Sequence, residues 1–253
     1  MADTPALLVQ GLHKRFGRSL IIDGAELELR AGQRCALIGP NGAGKSTLFN
    51  LMSGRLRADA GRVLLHGHDI TARSPQTINR LGLARSFQLS SLFPRLSACD
   101  NVRCALLWRL GHRYAFWRRL RHLPELTARA HAVLERVGLG PHAQVAAAAL
   151  SYAHQRTLEL AITIAADASV ILLDEPTAGM NRAESQAMVA LIREVTAGKT
   201  LLMVEHDMQV VFDLADRIAV MDNGRVIACD SAAGIRANPR VQQLYLNRSG
   251  HAA

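Results

Sequence analysis

The sequence predicts an α/β fold built around a largely parallel sheet, and three observations point there. Short apolar segments at Arg34–Ile38, Val170–Leu173, Thr200–Val204 and Ile218–Met221 read as buried strands. Helical patterns at Ser46–Met52, Glu184–Thr196 and Met208–Ala215 follow three of them in alternation. A glycine-rich loop stands between the first of these strands and its helix, and such sheets bind ligands at their strand ends.

The remaining elements fill in around this frame. Leu7–Gln10 and Ala25–Leu29 look like short strands around a turn at Asp23-Gly24. Arg62–Leu65 and Gly67–Ile70 resemble another strand with a turn near His66-Gly67. From about Leu96 to Gly140 the character changes. Arg, Leu, Ala and His dominate, with Pro124 and Pro141 as breakers, so a helical insertion is expected between two αβ segments. Asn223-Gly224, flanked by Ile218–Met221 and Arg225–Ala228, is a short hairpin signal.

A chain of 253 residues allows one or two domains, and its 49% hydrophobic content permits a sizeable core. Aromatic residues are scarce, so that core rests on Leu, Ile, Val and Ala. Met1–Gln10 lacks the basic start and apolar stretch of a secretory signal. The longest charge-free stretch, Val137–Gln155, contains Gly138, Gly140, Pro141 and two histidines, which does not read as a spanning helix. A soluble chain is expected, one that works at a membrane only from the side. Cys35, Cys99, Cys104 and Cys229 form no CxxC pair and fit a reducing cytosol as small apolar residues. The formal charge of +9 is compatible with nucleic acid, an anionic membrane surface or a phosphate-bearing ligand.

Gly39-Pro40-Asn41-Gly42-Ala43-Gly44-Lys45-Ser46 fits the P-loop pattern. Glycines let the backbone wrap so that successive N–H groups converge on phosphate oxygens, and the following helix adds its positive end. Lys45 can reach the β- and γ-phosphates, Ser46 can ligate Mg²⁺, and Thr47 can donate to the α-phosphate. A chance glycine-rich turn would not need the strand before it and the helix after it, and both are here.

Val170–Leu173 leads into Asp174-Glu175-Pro176-Thr177. A buried strand can deliver Asp174 to a magnesium ion, and Glu175 can polarise a water for in-line attack on the γ-phosphate. Two acids at a strand end also make an ordinary helix cap; the P-loop upstream favours catalysis.

With these motifs the chain resembles the ABC ATPases over nearly its whole length. Five elements stand in that family's order: the P-loop, Arg85-Ser86-Phe87-Gln88, Leu150-Ser151-Tyr152-Ala153-His154-Gln155-Arg156, Asp174-Glu175, and Val204-Glu205-His206-Asp207. The resemblance implies a P-loop NTPase core with an antiparallel β subdomain and a helical subdomain. Residues 1–95 and 157–253 would form the RecA-like core with the β subdomain, and 96–156 the helical subdomain carrying the signature. It also implies roles. Gln88 would touch Mg²⁺ and the attacking water, His206 would hydrogen-bond the γ-phosphate, and Phe16 would stack on adenine.

In that family two ATPase subunits face each other head to tail, and each ATP lies between one P-loop and the partner's signature. Ser151 is present in the signature, but Ala153 replaces the usual glycine. The added methyl predicts a weakened composite site there and hence an asymmetric heterodimer.

Several stretches resemble the branched-chain amino acid and urea/amide importer branch: Ala84–Gln88 followed by Leu92-Phe93-Pro94, the Tyr152 of the signature, Ala178-Gly179-Met180-Asn181, and the tail Ile235–Pro239 through Tyr245-Leu246. Arg182 departs from a proline common at that point. The branch implies ATP and Mg²⁺ as cofactors, two integral membrane permease subunits, a second ATPase subunit and, indirectly, a solute-binding protein. The location implied is peripheral, on the cytoplasmic face of the inner membrane, with no nucleic acid. The insertion, with Trp108, Arg109, Trp117, Arg118, Arg119 and Arg121, would face the permeases or anionic headgroups, or simply be a solvated basic helix. A soluble ABC ATPase acting on nucleic acid or ribosomes is the rival class, though such proteins join two cassettes or carry a long coiled coil. An exporter or lipid-transport ATPase is the rival within transport, and a subunit that binds nucleotide with little hydrolysis is a third.

Overall fold

The computed structural model describes residues 4–86, 92–107 and 124–249. Its strands are β1 (Leu7–Phe16), β2 (Ser19–Leu29), β3 (Arg34–Ile38), β4 (Ala60–Leu65), β5 (His68–Asp69), β6 (Leu83–Arg85), β7 (Val170–Asp174), β8 (Thr200–Val204), β9 (Arg217–Asp222) and β10 (Arg225–Asp230). They form two sheets. One is antiparallel in the order β2-β1-β4-β5, and the other runs β10-β9-β3-β8-β7-β6. In the second sheet every neighbouring pair is parallel except the hairpin β9–β10 at one edge.

The parallel strands form where the sequence predicts them, because β7 and β8 are buried at every position and carry no polar face. The first hairpin differs. Its strands are longer than expected and turn at Gly17-Arg18, not at Asp23-Gly24. The register jumps from Leu12↔Ala25 to His13↔Asp23, so Gly24 is the extra residue of a bulge. Asp23 is held inside the strand from outside the sheet. Its N–H donates to Gly224 O at 3.0 Å, and its carboxylate accepts from Arg225 at 2.7 Å.

The helices are α1 (Lys45–Met52), α2 (Pro75–Arg80), α3 (Ala98–Leu106), α4 (Pro124–Arg136), α5 (Tyr152–Ala165), α6 (Arg182–Val195), α7 (Met208–Leu214), α8 (Ala232–Ala237) and α9 (Pro239–Ser249). Pro124 is the first described residue of α4, a position where the first turn needs no N–H from it. Asn181 and Glu184 close a reciprocal capping box at the start of α6. Helix α5 is capped by Ser151 and runs unbroken through position 156. Among the described residues no helix is long and apolar enough to cross a membrane.

The alternation of strand residues divides the core in two. Ala36, Ile38, Ile171, Leu173, Leu201 and Met203 face a cluster that includes Val102 and Leu106 of α3, Leu126 and Leu134 of α4, and Leu158 of α5. Cys35, Leu37, Val170, Leu172, Leu202 and Val204 face α1 and the antiparallel sheet. The central sheet therefore lies between the β-rich and helix-rich parts, and its strand ends emerge between them.

The Asn223-Gly224 turn predicted for the β9–β10 hairpin buttresses the phosphate loop, because Gly224 N donates to Ala43 O at 2.9 Å. Gly224 has φ +78°, and a Cβ there would sit 2.4 Å from Ile21 O. Gly224→Ala is therefore expected to lower stability by about 1–3 kcal/mol, read as a shift in the urea unfolding midpoint.

Candidate nucleotide site

The C-terminal ends of four neighbouring parallel strands, β3, β8, β7 and β6, carry the candidate residues to one edge of the sheet. Strand β3 runs directly into the loop Gly39–Gly44. Lys45, Ser46 and Thr47 form the first turn of α1, which has no acidic residue and no side-chain cap. Its N–H groups and dipole are thus open to an anion. Lys45 is buried, and its Nζ donates to Gly39 O at 2.7 Å and Pro40 O at 3.0 Å, folding the ammonium over its own loop.

Asp174 closes β7 and pairs with Arg85 at the end of β6, Arg85 Nη2 donating to Oδ2 at 2.9 Å. The other guanidinium nitrogen donates to Asn50 Oδ1 at 2.7 Å and Ser53 Oγ at 3.0 Å, in α1 and just beyond it. The Asp174 N–H donates to Ser86 Oγ at 3.1 Å. Burial pushes the Arg85 guanidinium down, and the Asp174 charge opposes that shift. Arg85 is not among the residues to which the sequence assigns a role. Its signal was a charge at the end of a short apolar strand, three positions before Gln88.

Glu175 follows at φ +48°, an uncommon conformation for a residue with a side chain. Its Oε1 lies 3.0 Å from His206 Nε2, both side chains being about half exposed. The strand register explains the meeting. Asp174 is opposite Val204 across β7–β8, and Glu175 N donates to Val204 O at 2.9 Å. Between them the buried Glu205 acts as a bracket. Its Oε1 accepts from Thr177 N at 3.0 Å and Thr177 Oγ1 at 2.7 Å, while Oε2 accepts from His206 N at 3.0 Å. Glu205 belongs to the Val204–Asp207 motif, in which the sequence assigns a role only to His206. Glu175, His206, Glu205 and the segment Thr177–Met180 line a cleft of 480 Å³.

Phe16 ends β1 with its ring 48% exposed, and Lys14 Nζ lies 5.6 Å from the ring centre. Lys14 is steadied by Asp59 at 2.8 Å, a hydrogen bond that holds the Asp59 carboxyl below its ordinary range. An exposed ring at this position suits a stacking platform. Ser151 caps α5, its Oγ accepting from His154 N at 3.2 Å, and Ala153 is the second residue of that helix. Gln88 lies outside the described residues, as do Trp108, Arg109, Trp117, Arg118, Arg119 and Arg121.

Residues 22–178, from β2 through the turn after Glu175, match the ABC transporter family. The chain belongs to that family. Among its ABC relatives, the high-affinity branched-chain amino acid transport ATP-binding protein LivG of Escherichia coli K12 is 36% identical, over 97% of this chain and 99% of its own. The protein named BraF in Pseudomonas aeruginosa, with the same description, is 35% identical over the same shares. Among solved structures, a nucleotide-free ATP-binding cassette from an ABC transporter superposes with a TM-score of 0.84 at 26% identity, covering 95% of this chain and 98% of that one. The family resemblance and the ABC ATPase fold predicted from the sequence are borne out.

Removing Arg85 would leave the Asp174 carboxylate buried and without its cation, since the two side chains are 8% and 5% exposed. Arg85→Ala is therefore expected to destabilise the chain by about 3–5 kcal/mol in chemical unfolding, far more than loss of an exposed pair.

Proposed function

We propose that this ABC family member is the ATP-binding and ATP-hydrolysing subunit of an importer for branched-chain amino acids or related amides. The observation that carries the reading is the Glu175–His206 pair, 3.0 Å apart at neighbouring strand ends beside the phosphate loop. The near full-length likeness to LivG and BraF supports the importer branch.

ATP is held with its adenine on Phe16 and its phosphates in the Gly39–Gly44 loop. Lys45 turns from the Gly39 and Pro40 carbonyls to the β- and γ-phosphates, and Thr47 donates to the α-phosphate. Glu175 draws the proton from a water in line with the γ-phosphorus, and His206 hydrogen-bonds the γ-phosphate while orienting the carboxylate. The donors near the phosphates fit a magnesium ion, because Ser46 and Asp174 present only hard oxygen atoms, with Gln88 as the third residue. Held there, the ion would neutralise charge on the β- and γ-phosphates.

The chain sits on the cytoplasmic face of the inner membrane against two permease subunits, served indirectly by a solute-binding protein. A second ATPase subunit faces it head to tail, so that Ser151 and the start of α5 meet the partner's ATP. ATP closes this pair, and hydrolysis reopens it. The Ala153 methyl, standing where the family's signature has glycine, would crowd the backbone's approach to that phosphate and weaken the site, while this chain's own P-loop and Glu175 work against the partner's signature. Ala153→Gly should therefore raise ATP turnover of the assembled complex; unchanged turnover would count against the asymmetry.

The identifying experiment is purification of the chain from its native membranes in mild detergent, with mass spectrometry of what accompanies it. Two polytopic proteins and a second ATPase are expected. Ribosomal proteins or nucleic acid without a membrane subunit would overturn the transport reading. In the purified complex Glu175→Gln should slow hydrolysis by about 10²–10⁴-fold and trap ATP in a closed dimer, measured as ATP retained by the complex through size-exclusion chromatography.

A further inference from the structure

Tyr152 opens α5 directly after the capping Ser151. Its hydroxyl is used twice, donating to Ala178 O at 2.7 Å and accepting from Arg156 Nε at 3.2 Å. The Arg156 guanidinium lies 5.5 Å from the Tyr152 ring centre, and its Nη1 donates to Glu159 Oε2 at 3.0 Å. The Arg156 and Glu159 side chains are only 10% and 5% exposed. The phenol is therefore braced from behind by neighbours on its own helix, one turn on and nearly two.

On its other side the ring meets bare backbone. Gly179 has φ +77°, and a Cβ there would sit 2.8 Å from the Tyr152 hydroxyl oxygen and 3.1 Å from Cζ. The backbone that Tyr152 holds is the turn that carries Glu175. Ala178 N donates to Glu175 O at 3.2 Å, so the two residues close one turn. Thr177, between them, is fastened to Glu205 on the sheet side. The turn thus has one anchor just past β8 and one on α5, and the second is a single hydroxyl.

We propose that Tyr152 is a positioning residue for Glu175, joining the helix that presents Ser151 and the turn that presents Glu175 into one unit. The proposal rests on Glu175 being the residue that activates water. A displacement of the start of α5, such as nucleotide arriving at Ser151 from the partner subunit, then moves Ala178 and alters the aim of Glu175. The two ATP sites of the assembled pair are coupled through this contact.

The test uses the assembled complex purified through this chain, with Mg-ATP. Tyr152→Phe keeps the ring and removes only the hydroxyl, worth one hydrogen bond. Turnover per folded ATP site should fall about three- to tenfold. KM for ATP should stay within about twofold, since binding in the P-loop is untouched. Amides of residues 177–180 should exchange faster with solvent. Gly179→Ala should impair the wild type more than the Tyr152→Phe variant, because the hydroxyl it strikes is gone. Unchanged kcat, a change confined to KM, or strictly additive effects would each overturn the proposal. Full turnover in Tyr152→Phe with none in Glu175→Gln sinks the positioning role and leaves the functional reading standing. Full turnover in both sinks both. If Tyr152→Phe lowers the yield of folded complex, amide exchange and the KM-against-kcat comparison on the folded fraction decide the matter.

Discussion

The buried ion pair between Arg85 and Asp174 governs the geometry around the phosphate loop. Removing two charges from water costs several kcal/mol each, and their attraction offsets that only when the remaining donors and acceptors are also satisfied. Arg85 meets this condition at both terminal nitrogens, Nη1 bonding Asn50 and Ser53 and Nη2 bonding Asp174, while its buried Nε has no hydrogen-bond partner among the described residues. The ends of β6 and β7 and the α1 region are thus tied to one guanidinium. Because Ser46 lies in the first turn of α1 and Asp174 ends β7, the same clamp sets the spacing between the two oxygen ligands proposed for the metal.

Beyond Asp174 the chain leaves the sheet, and the constraint passes to Glu205. A positive φ at a residue such as Glu175 costs on the order of 1–3 kcal/mol and persists only where the surroundings over-determine it. Three hydrogen bonds to the Glu205 carboxylate supply that determination, two from Thr177 and one from the His206 backbone. Both members of the Glu175–His206 pair are therefore positioned by a residue that touches neither of their side chains. The turns are fixed while the two side chains stay half exposed, an arrangement that suits the proposed meeting with a water and a phosphate.

How much of this was legible in the sequence depended on distance along the chain. The phosphate loop, the buried strands and the Asn223-Gly224 hairpin are local signals, written within a dozen residues, and each forms as read. Asp23-Gly24 carries the same kind of signal but forms a bulge, because Gly224 and Arg225 hold it from some 200 positions away. Arg85 finds Asp174 across 89 positions and Thr177 finds Glu205 across 28, and no periodicity records either meeting. The cysteines teach the same lesson. Read separately they are small apolar residues, yet Cys35 and Cys229 influence each other across the sheet, which pushes the Cys35 thiol up and the Cys229 thiol down to about 7. Helix α5 was hidden differently, since its first residues read as a signature motif and drew attention from the helical run behind them.

Two buried ion pairs, Arg85–Asp174 on the sheet and Arg156–Glu159 on α5, approach one another across a cavity of only 20 Å³, which Asp174, Ser86, Arg156 and Glu159 line together. Burial raises the Glu159 carboxyl, and the Arg156 charge opposes it. Well-packed apolar residues would hold the helix against the sheet at least as firmly, because a buried pair adds little net stability. Each pair is complete within its own layer, Arg156–Glu159 on α5 and Arg85–Asp174 on the sheet, so a shifted helix would keep both pairs and change only how they pack. The position of α5 is set against the end of β7 by a bond that does cross between them, from the Tyr152 hydroxyl to Ala178 O in the turn that holds Glu175.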